Sequence, residues 1–240
     1  MLGGGLAHGM YNPATVWSSD TGLYFDGVND NALAIFPNEI LNGFTISMWV
    51  KTPNETYSNN AGDPNAAIFG LRRGIGKSSG PFLTAYYKDD GTDRININRT
   101  NAGNTGINEV YGTFDDDDWE ADFHLVVSVT PAQIVGYING SAFTTNQAGS
   151  SGDWDVEEGN YYLHFGHLNP ASGASISFSE YHIHDINIWQ GVLGSGEVAS
   201  VYNNGEPKDE TNSAYGTFDS NNNFAGVATT TALINGYEPS

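Results

Sequence analysis

The 240-residue sequence holds 28 Asp and Glu side chains, and their spacing limits the chemistry on offer. Asp26, Asn29 and Asp30 crowd one short stretch, and carboxylate plus amide oxygens suit a hard cation such as Ca2+; Asp26-Gly27 and Asn29-Asp30 are equally good turn formers. The run Asp115 to Asp118, followed by Glu120 and Asp122, is the densest acidity, but it lacks EF-hand spacing and reads as a solvated loop. Gly76-Lys77-Ser78 looks like the end of a phosphate loop. That motif needs a glycine five residues before Gly76, where Leu71 stands, and no helical pattern follows, so nucleotide binding is excluded in favour of a Gly-rich turn. His164, His167, His182 and His184 fall in or beside late apolar runs without metal-ligand spacing and read as strand histidines. Sugar recognition needs ring faces for C–H stacking and paired polar groups for hydroxyls; Tyr86, Tyr87, Trp154, Tyr161 and Asn160 are the candidates, with Tyr86, Trp154 and Tyr161 foremost.

Charge is unevenly placed. Eight Lys and Arg leave a net charge of −20, which a nucleic-acid backbone would repel. Yet residues 72–99 hold Arg72, Arg73, Lys77, Lys88, Arg94 and Arg99 against Asp89, Asp90 and Asp93, a local excess of cations. That separation favours docking of the stretch, led by Arg72, Arg73 and Lys77, onto a second copy, another protein or an anionic glycan. No cysteine is present, so disulfide and thiolate chemistry are absent. No apolar run approaches the roughly 18 to 20 residues of a membrane helix. The opening MLGGGLAHGMYNPATVW lacks the basic and apolar regions of a secretory signal, so export through a signal peptide is not expected. With 39% hydrophobic residues, 12 Phe, 13 Tyr and 5 Trp, the chain can build the core of one domain.

The elements that must position these groups read as strands. Short β-rich runs recur between Gly, Asn, Asp and Pro clusters: 23–26, 32–36, 44–51, 67–71, 82–87, 94–98, 125–130, 134–139, 161–166, 175–178 and 181–189. About a dozen strands imply two packed sheets. In FTISMWVK, Phe44, Ile46, Met48 and Val50 share the core face while Thr45, Ser47, Trp49 and Lys51 share the other. Asn139-Gly140 marks a hairpin turn. Along EYHIHDINIW the apolar phase moves from Tyr181 and Ile183 to Ile186 and Ile188, which predicts a β-bulge at His184-Asp185. From Gly194 to Asn204, Val198, Val201 and Tyr202 repeat at helical spacing, with Glu197 in the first turn and Gly205 as the stop. Residues 207–240 form a Gly/Asn/Thr-rich tail, and residues 1–19 an N-terminal arm.

Four segments in order, LYFDGVNDNALAIF, FTISMWVK, IVGYINGSAF and HIHDINIWQGVLGSGEVASVYNNGEP, resemble the laminin G-like, concanavalin A-like jelly-roll family in its pentraxin branch, over residues 20–206. The resemblance implies an all-β, two-sheet antiparallel sandwich with one short C-terminal helix. It also implies that the first and last strands lie close, so that Asp185 would join Asp26 and Asp30 at a structural Ca2+. Glucanases of this fold place their carboxylates as Glu-x-Asp-x-x-Glu; Glu120-Ala121-Asp122 starts that pattern but Leu125 ends it, and Glu157-Glu158 has no partner at the required spacing. The expectation is therefore a noncatalytic recognition or assembly protein. A start at Met1 without a leader, together with polar arms, points to a virion component, such as a phage head-decoration or tail-associated protein, that packs against itself or other virion proteins and binds surface glycans. A secreted bacterial lectin is the alternative reading, and a glycosidase acting through Glu120 or Glu157 a third.

Overall fold

The computed structural model describes residues 23–26, 32–36, 43–51, 65–73, 81–89, 93–100, 107–113, 122–143, 161–168, 177–178, 180–205, 216–218, 223–226 and 230–231. In chain order the strands are β1 (Leu23–Asp26), β2 (Ala32–Phe36), β3 (Phe44–Lys51), β4 (Asn65–Arg73), β5 (Pro81–Asp89), β6 (Asp93–Thr100), β7 (Ile107–Thr113), β8 (Phe123–Val129), β9 (Ile134–Ile138), β10 (Ser141–Ala142), β11 (Tyr161–Phe165), β12 (His167–Leu168), β13 (Ser177–Phe178) and β14 (Glu180–Gln190). Helix α1 (Ser195–Tyr202) follows, and then β15 (Gly216–Phe218), β16 (Asn223–Gly226) and β17 (Thr230–Thr231).

These strands form an antiparallel jelly-roll sandwich. The larger sheet runs β10-β9-β8-β3-β14-β17-β16-β15, with β1 pairing the first half of β14, and the smaller runs β2-β11-β4-β5-β6-β7. Alternation places Phe44, Ile46, Met48 and Val50 of β3 and Leu125, Val127 and Val129 of β8 against Leu71, Leu83, Ala85, Ile95, Ile97 and Leu163 of the facing sheet, all buried. Two polar side chains tie the layers. Tyr181 of β14 donates its hydroxyl to the Ile68 carbonyl on β4 and accepts from Gly166 N–H, each at 2.6 Å. Arg99 of β6 donates from Nη1 to the carbonyls of Thr130 and Pro131 in the β8–β9 turn.

The edge of the core closes around Phe143. A Cβ on Gly112 of β7 would lie 2.6 Å from its ring, and one on Gly136 of β9 would lie 2.5 Å away, so a glycine in each sheet makes room for the ring. The hairpin predicted at Asn139-Gly140 is present with both residues at positive φ, 49° and 79°, the combination a tight type I′ turn requires.

The outer face of β3 is buried as well, contrary to a simple one-sided reading of FTISMWVK, in which Lys51 alone is exposed. The reason is α1. Its Val198 and Val201 pack with Leu193 on Val126, Tyr137 and Trp189. The loop into the helix is held by polar strand residues: Thr45 Oγ1 accepts from Leu193 N–H and donates to the Gly191 carbonyl, both at 3.0 Å, and Ser128 Oγ donates to the Leu193 carbonyl. Gly194 caps the helix; its carbonyl accepts the first helical bond from Val198 N–H, and its N–H donates to Glu197 Oε2 at 2.7 Å.

Candidate functional site

The outer face of the smaller sheet gathers polar and aromatic side chains in register. Ile95, Ile97 and Val110 point inward, so their alternates point outward: Tyr86 on β5 stands opposite Asn96 on β6, Asn96 opposite Tyr111 on β7, and Asn98 opposite both Thr84 and Glu109. Tyr86 organises the group. Its phenolic oxygen accepts from Asn98 Nδ2 at 3.0 Å and from Asn96 Nδ2 at 3.3 Å, and Asn96 Nδ2 also donates to Glu109 Oε1 at 2.6 Å. The Arg94 guanidinium lies 5.0 Å over the Tyr111 ring, within cation–π range. With both amide nitrogens turned toward Tyr86, the oxygens Asn96 Oδ1 and Asn98 Oδ1 are buried with no hydrogen-bond partner among the described residues. Neither oxygen has exposed surface, so each is enclosed by the fold and carries a desolvation cost.

Continuing across the sheet, Thr84 stands opposite Gly70 and Gly70 opposite His164, while Arg72 stands opposite Tyr162. Gly70 leaves this middle row without a side chain. Among the described residues, the partly exposed side chains of this face are Tyr86, Arg94, Asn98, Glu109, Tyr111, Tyr162 and His164, rings and polar groups of the kind that meet a hydroxyl-rich ligand.

The residues singled out in the sequence are distributed differently. Tyr86 lies at the centre of this face. Tyr161 faces inward, 2% exposed among the core residues, and is withdrawn from any ligand because β11 alternation sends Tyr162 and His164 outward instead. Trp154 lies outside the described residues. Arg72 is 4% exposed, and burial pulls its pKa down, so it is not a free surface cation; Arg99 is likewise consumed inside the fold. The Arg73 side chain and Lys77 lie outside the described residues. Asp26 stands opposite Glu180 at the start of β14, five residues from Asp185, about 16 Å along a strand, so Asp26 and Asp185 do not share one ion; Asp30 lies outside the described residues.

Asp185 sits where the bulge was expected. Pairing between β14 and β3 shifts between His184 and Asn187, and Asp185 adopts φ 48°, a left-handed conformation uncommon for a residue with a Cβ. The bulge turns the Asp185 carboxylate onto His184, Oδ2 to Nδ1 2.8 Å. His184 belongs to an aromatic row over the larger sheet: Trp49 has His184 parallel on one side at 6.1 Å and His124 on the other at 5.1 Å, with Tyr202 of α1 stacked on Trp49 at 5.9 Å. Burial, with the nearby His184, pushes His124 down to about 3. Among the described residues no group of three or more His, Cys, Asp or Glu side chains is placed to hold a metal ion.

No family model and no curated protein matches this sequence. Solved structures do resemble it. A heptameric SAP-like pentraxin from Limulus polyphemus is 14% identical at a TM-score of 0.54, over 88% of this chain and 95% of that one. The binding domain of botulinum neurotoxin serotype D/C is 14% identical at 0.55, over 80% of this chain and 44% of that one. Trypanosoma rangeli sialidase in complex with the inhibitor DANA is 15% identical at 0.52, over 75% of this chain and 27% of that one. The chain therefore spans less than half the length of the toxin and sialidase structures. At these identities the likeness is one of fold, and it agrees with the jelly roll described above. No described helix is long and apolar enough to cross a membrane.

Proposed function

We propose that this chain is a noncatalytic recognition module that binds carbohydrate on the outer face of the smaller sheet, around Tyr86. The observation that supports this reading is the cluster of half-buried Tyr86, Asn98, Glu109, Arg94 and Tyr111 side chains on one sheet face, held in register by the hydrogen bonds to the Tyr86 hydroxyl. A sugar matches half-buried rings and polar groups of this kind, with hydroxyls spaced along a ring whose C–H face packs on an aromatic side chain. Hydrolysis by the usual two-carboxylate route needs a second acid opposite the first, and on this face Glu109 is the carboxylate whose side chain is described, already engaged with Asn96. A pentraxin and a toxin binding domain of the same fold support recognition over catalysis.

The wider setting we propose is the surface of a virion, where the module packs against copies of itself or other virion proteins; a secreted lectin is the alternative. The heptameric pentraxin supports self-association as the form to test first. A structural Ca2+ in the loop from Asp26 to Asp30 belongs to the same proposal.

A glycan array probed with the full chain, in calcium and in chelator, tests the reading. Binding that is lost in Tyr86→Ala and Asn98→Ala supports it, and an array without hits, or hits unchanged by both substitutions, rejects it. Electron microscopy and sedimentation of source material separate the two settings, since a virion component co-purifies with particles.

A further inference from the structure

We infer that the C-terminal meander of β15, β16 and β17 is an exchangeable arm, which one copy of this chain lays on the β14 edge of a second. The inference rests on the self-association proposed above and names the segment that carries it. On one side β14 is paired by β3, from His182 to Gln190. On the other side β1 covers Glu180 to Ile183 and stops short of the bulge, where Asp185 takes φ 48°. Beyond the bulge lie Ile188 and Trp189, both buried, on a strand edge whose backbone groups need partners. It is β17 that fills this edge.

The attachment is short. Among the described residues, the meander pairs with the sandwich through Thr231 opposite Ile188 and Thr230 opposite Trp189. Its other pairs are internal: Gly216, Thr217 and Phe218 stand opposite Gly226, Ala225 and Phe224, and Asn223 and Phe224 opposite Thr231 and Thr230. Strands this short do not hold together in water without a larger sheet to lie on, so the arm is ordered by whichever β14 receives it. Residues 206–215, EPKDETNSAY, connect it to the body, and ten residues span at most about 35 Å when extended. That reach extends to a neighbouring copy.

An exchanged arm makes the same contacts on a second copy as on its own, so the balance between the two is set by concentration. A short tether offers the arm to its own β14 at about millimolar effective concentration, and copies packed side by side offer a neighbouring edge at a similar one. Charge selects this kind of contact. Each copy carries −20 and repels the next, which works against docking of one surface on another, whereas main-chain pairing of β17 with β14 needs no opposite charge. Added salt screens the repulsion and strengthens the association.

The chain has no cysteine, so two single substitutions report where the arm goes. Ile188→Cys and Thr231→Cys put one thiol on each side of the β14–β17 ladder, where opposed residues stand about 4.5–5.5 Å apart at Cα, within disulfide range. The two full-length variants are mixed in urea, refolded together at about millimolar concentration and oxidised, with each alone as the control. The expected result is a mixed disulfide between the two variants, identified by mass, and a wild-type sedimentation coefficient that rises with concentration and with salt. Thr231→Pro, which takes an N–H out of β17 and is disfavoured inside a paired strand, should weaken self-association by about tenfold or more. It leaves the core untouched and decides the matter by sedimentation if Ile188→Cys fails to fold. A monomer at every concentration overturns both the exchange and the self-association beneath it. A multimer that Thr231→Pro leaves intact, or folded variants that form no mixed disulfide, overturns the exchange alone.

Discussion

Replacing Tyr86 with Phe removes one oxygen from the outer face of the smaller sheet and leaves the ring in place. That oxygen accepts from Asn98 Nδ2 at 3.0 Å and from Asn96 Nδ2 at 3.3 Å. Asn96 retains its shorter bond to Glu109 Oε1 at 2.6 Å, so the loss falls on Asn98. An unpaired amide donor costs about 1–3 kcal/mol when fully buried; Asn98 is half-buried and regains part of this from water, which puts Tyr86→Phe near the lower end, about 1 kcal/mol. For a chain of this length that is a fall in Tm of about 2–4 °C, with an unchanged urea m-value. Because the substitution also frees the Asn98 amide to rotate, affinity for a glycan identified on the array should drop about tenfold, equivalent to about 1.4 kcal/mol. The decisive measurement is the double-mutant cycle in urea. Asn98→Ala after Tyr86→Phe should cost less than Asn98→Ala alone, with a coupling of at least about 0.5 kcal/mol. Strict additivity, with an unchanged Tm for Tyr86→Phe, would refute the hydrogen-bonded platform and remove the basis of the carbohydrate reading.

Three further outcomes follow from the packing and the titratable groups. Gly112→Ala should destabilise by about 1–3 kcal/mol because its Cβ would meet the Phe143 ring at 2.6 Å, and should become nearly neutral in a Phe143→Ala background; an equal cost in both backgrounds, by urea denaturation, refutes the close approach. His124 is pushed down to about 3 in the fold against about 6.5 in the unfolded chain, so between those values the unfolded chain binds the extra proton and stability falls as pH falls, by up to about 1.4 kcal/mol per pH unit. In His124→Asn that part of the slope should vanish, which urea midpoints from pH 7 to pH 4 will show. Glu197→Ala removes the carboxylate that accepts from Gly194 N–H and should cost about 0.5–1 kcal/mol of thermal stability, with no effect on the array.

The sandwich was legible because its strands carry period-two patterns against clear turn chemistry. Residues 23–26, 32–36 and 44–51 coincide with β1, β2 and β3, and the bulge at His184-Asp185 and the Asn139-Gly140 turn were visible as a phase slip and a dipeptide. Strand β7 was missed because INEVYGT offers two aliphatic residues and a glycine; its inward face is Val110 and Gly112, and the core volume there comes from Phe143, thirty-one residues later. The tail shows the same limit, since β17 is a two-residue strand that pairs with Ile188 and Trp189 of β14, far upstream in the chain. Short strands of this kind are set by their neighbours and carry little pattern of their own.

Chemistry was harder to read than fold because it depends on register. Asn96 and Asn98 stand out in DRININRT as polar residues alternating with Ile95 and Ile97, but only the pairing of β5 with β6 brings both amides to the Tyr86 hydroxyl, and only β7 adds Glu109 and the Tyr111 ring under Arg94. Tyr86 and Tyr161 look alike in sequence, and the parity of each in its strand sends one outward and the other into the core. The arginines mislead for a related reason. A guanidinium counted as surface charge in a composition can satisfy carbonyls inside the fold, as Arg99 does at Thr130 and Pro131, so the basic stretch of residues 72–99 presents fewer free cations than its sequence suggests. Docking through that stretch therefore has to be carried by cations other than Arg72 and Arg99, and charge reversal at either of these two should act through stability and leave association of the folded protein unchanged.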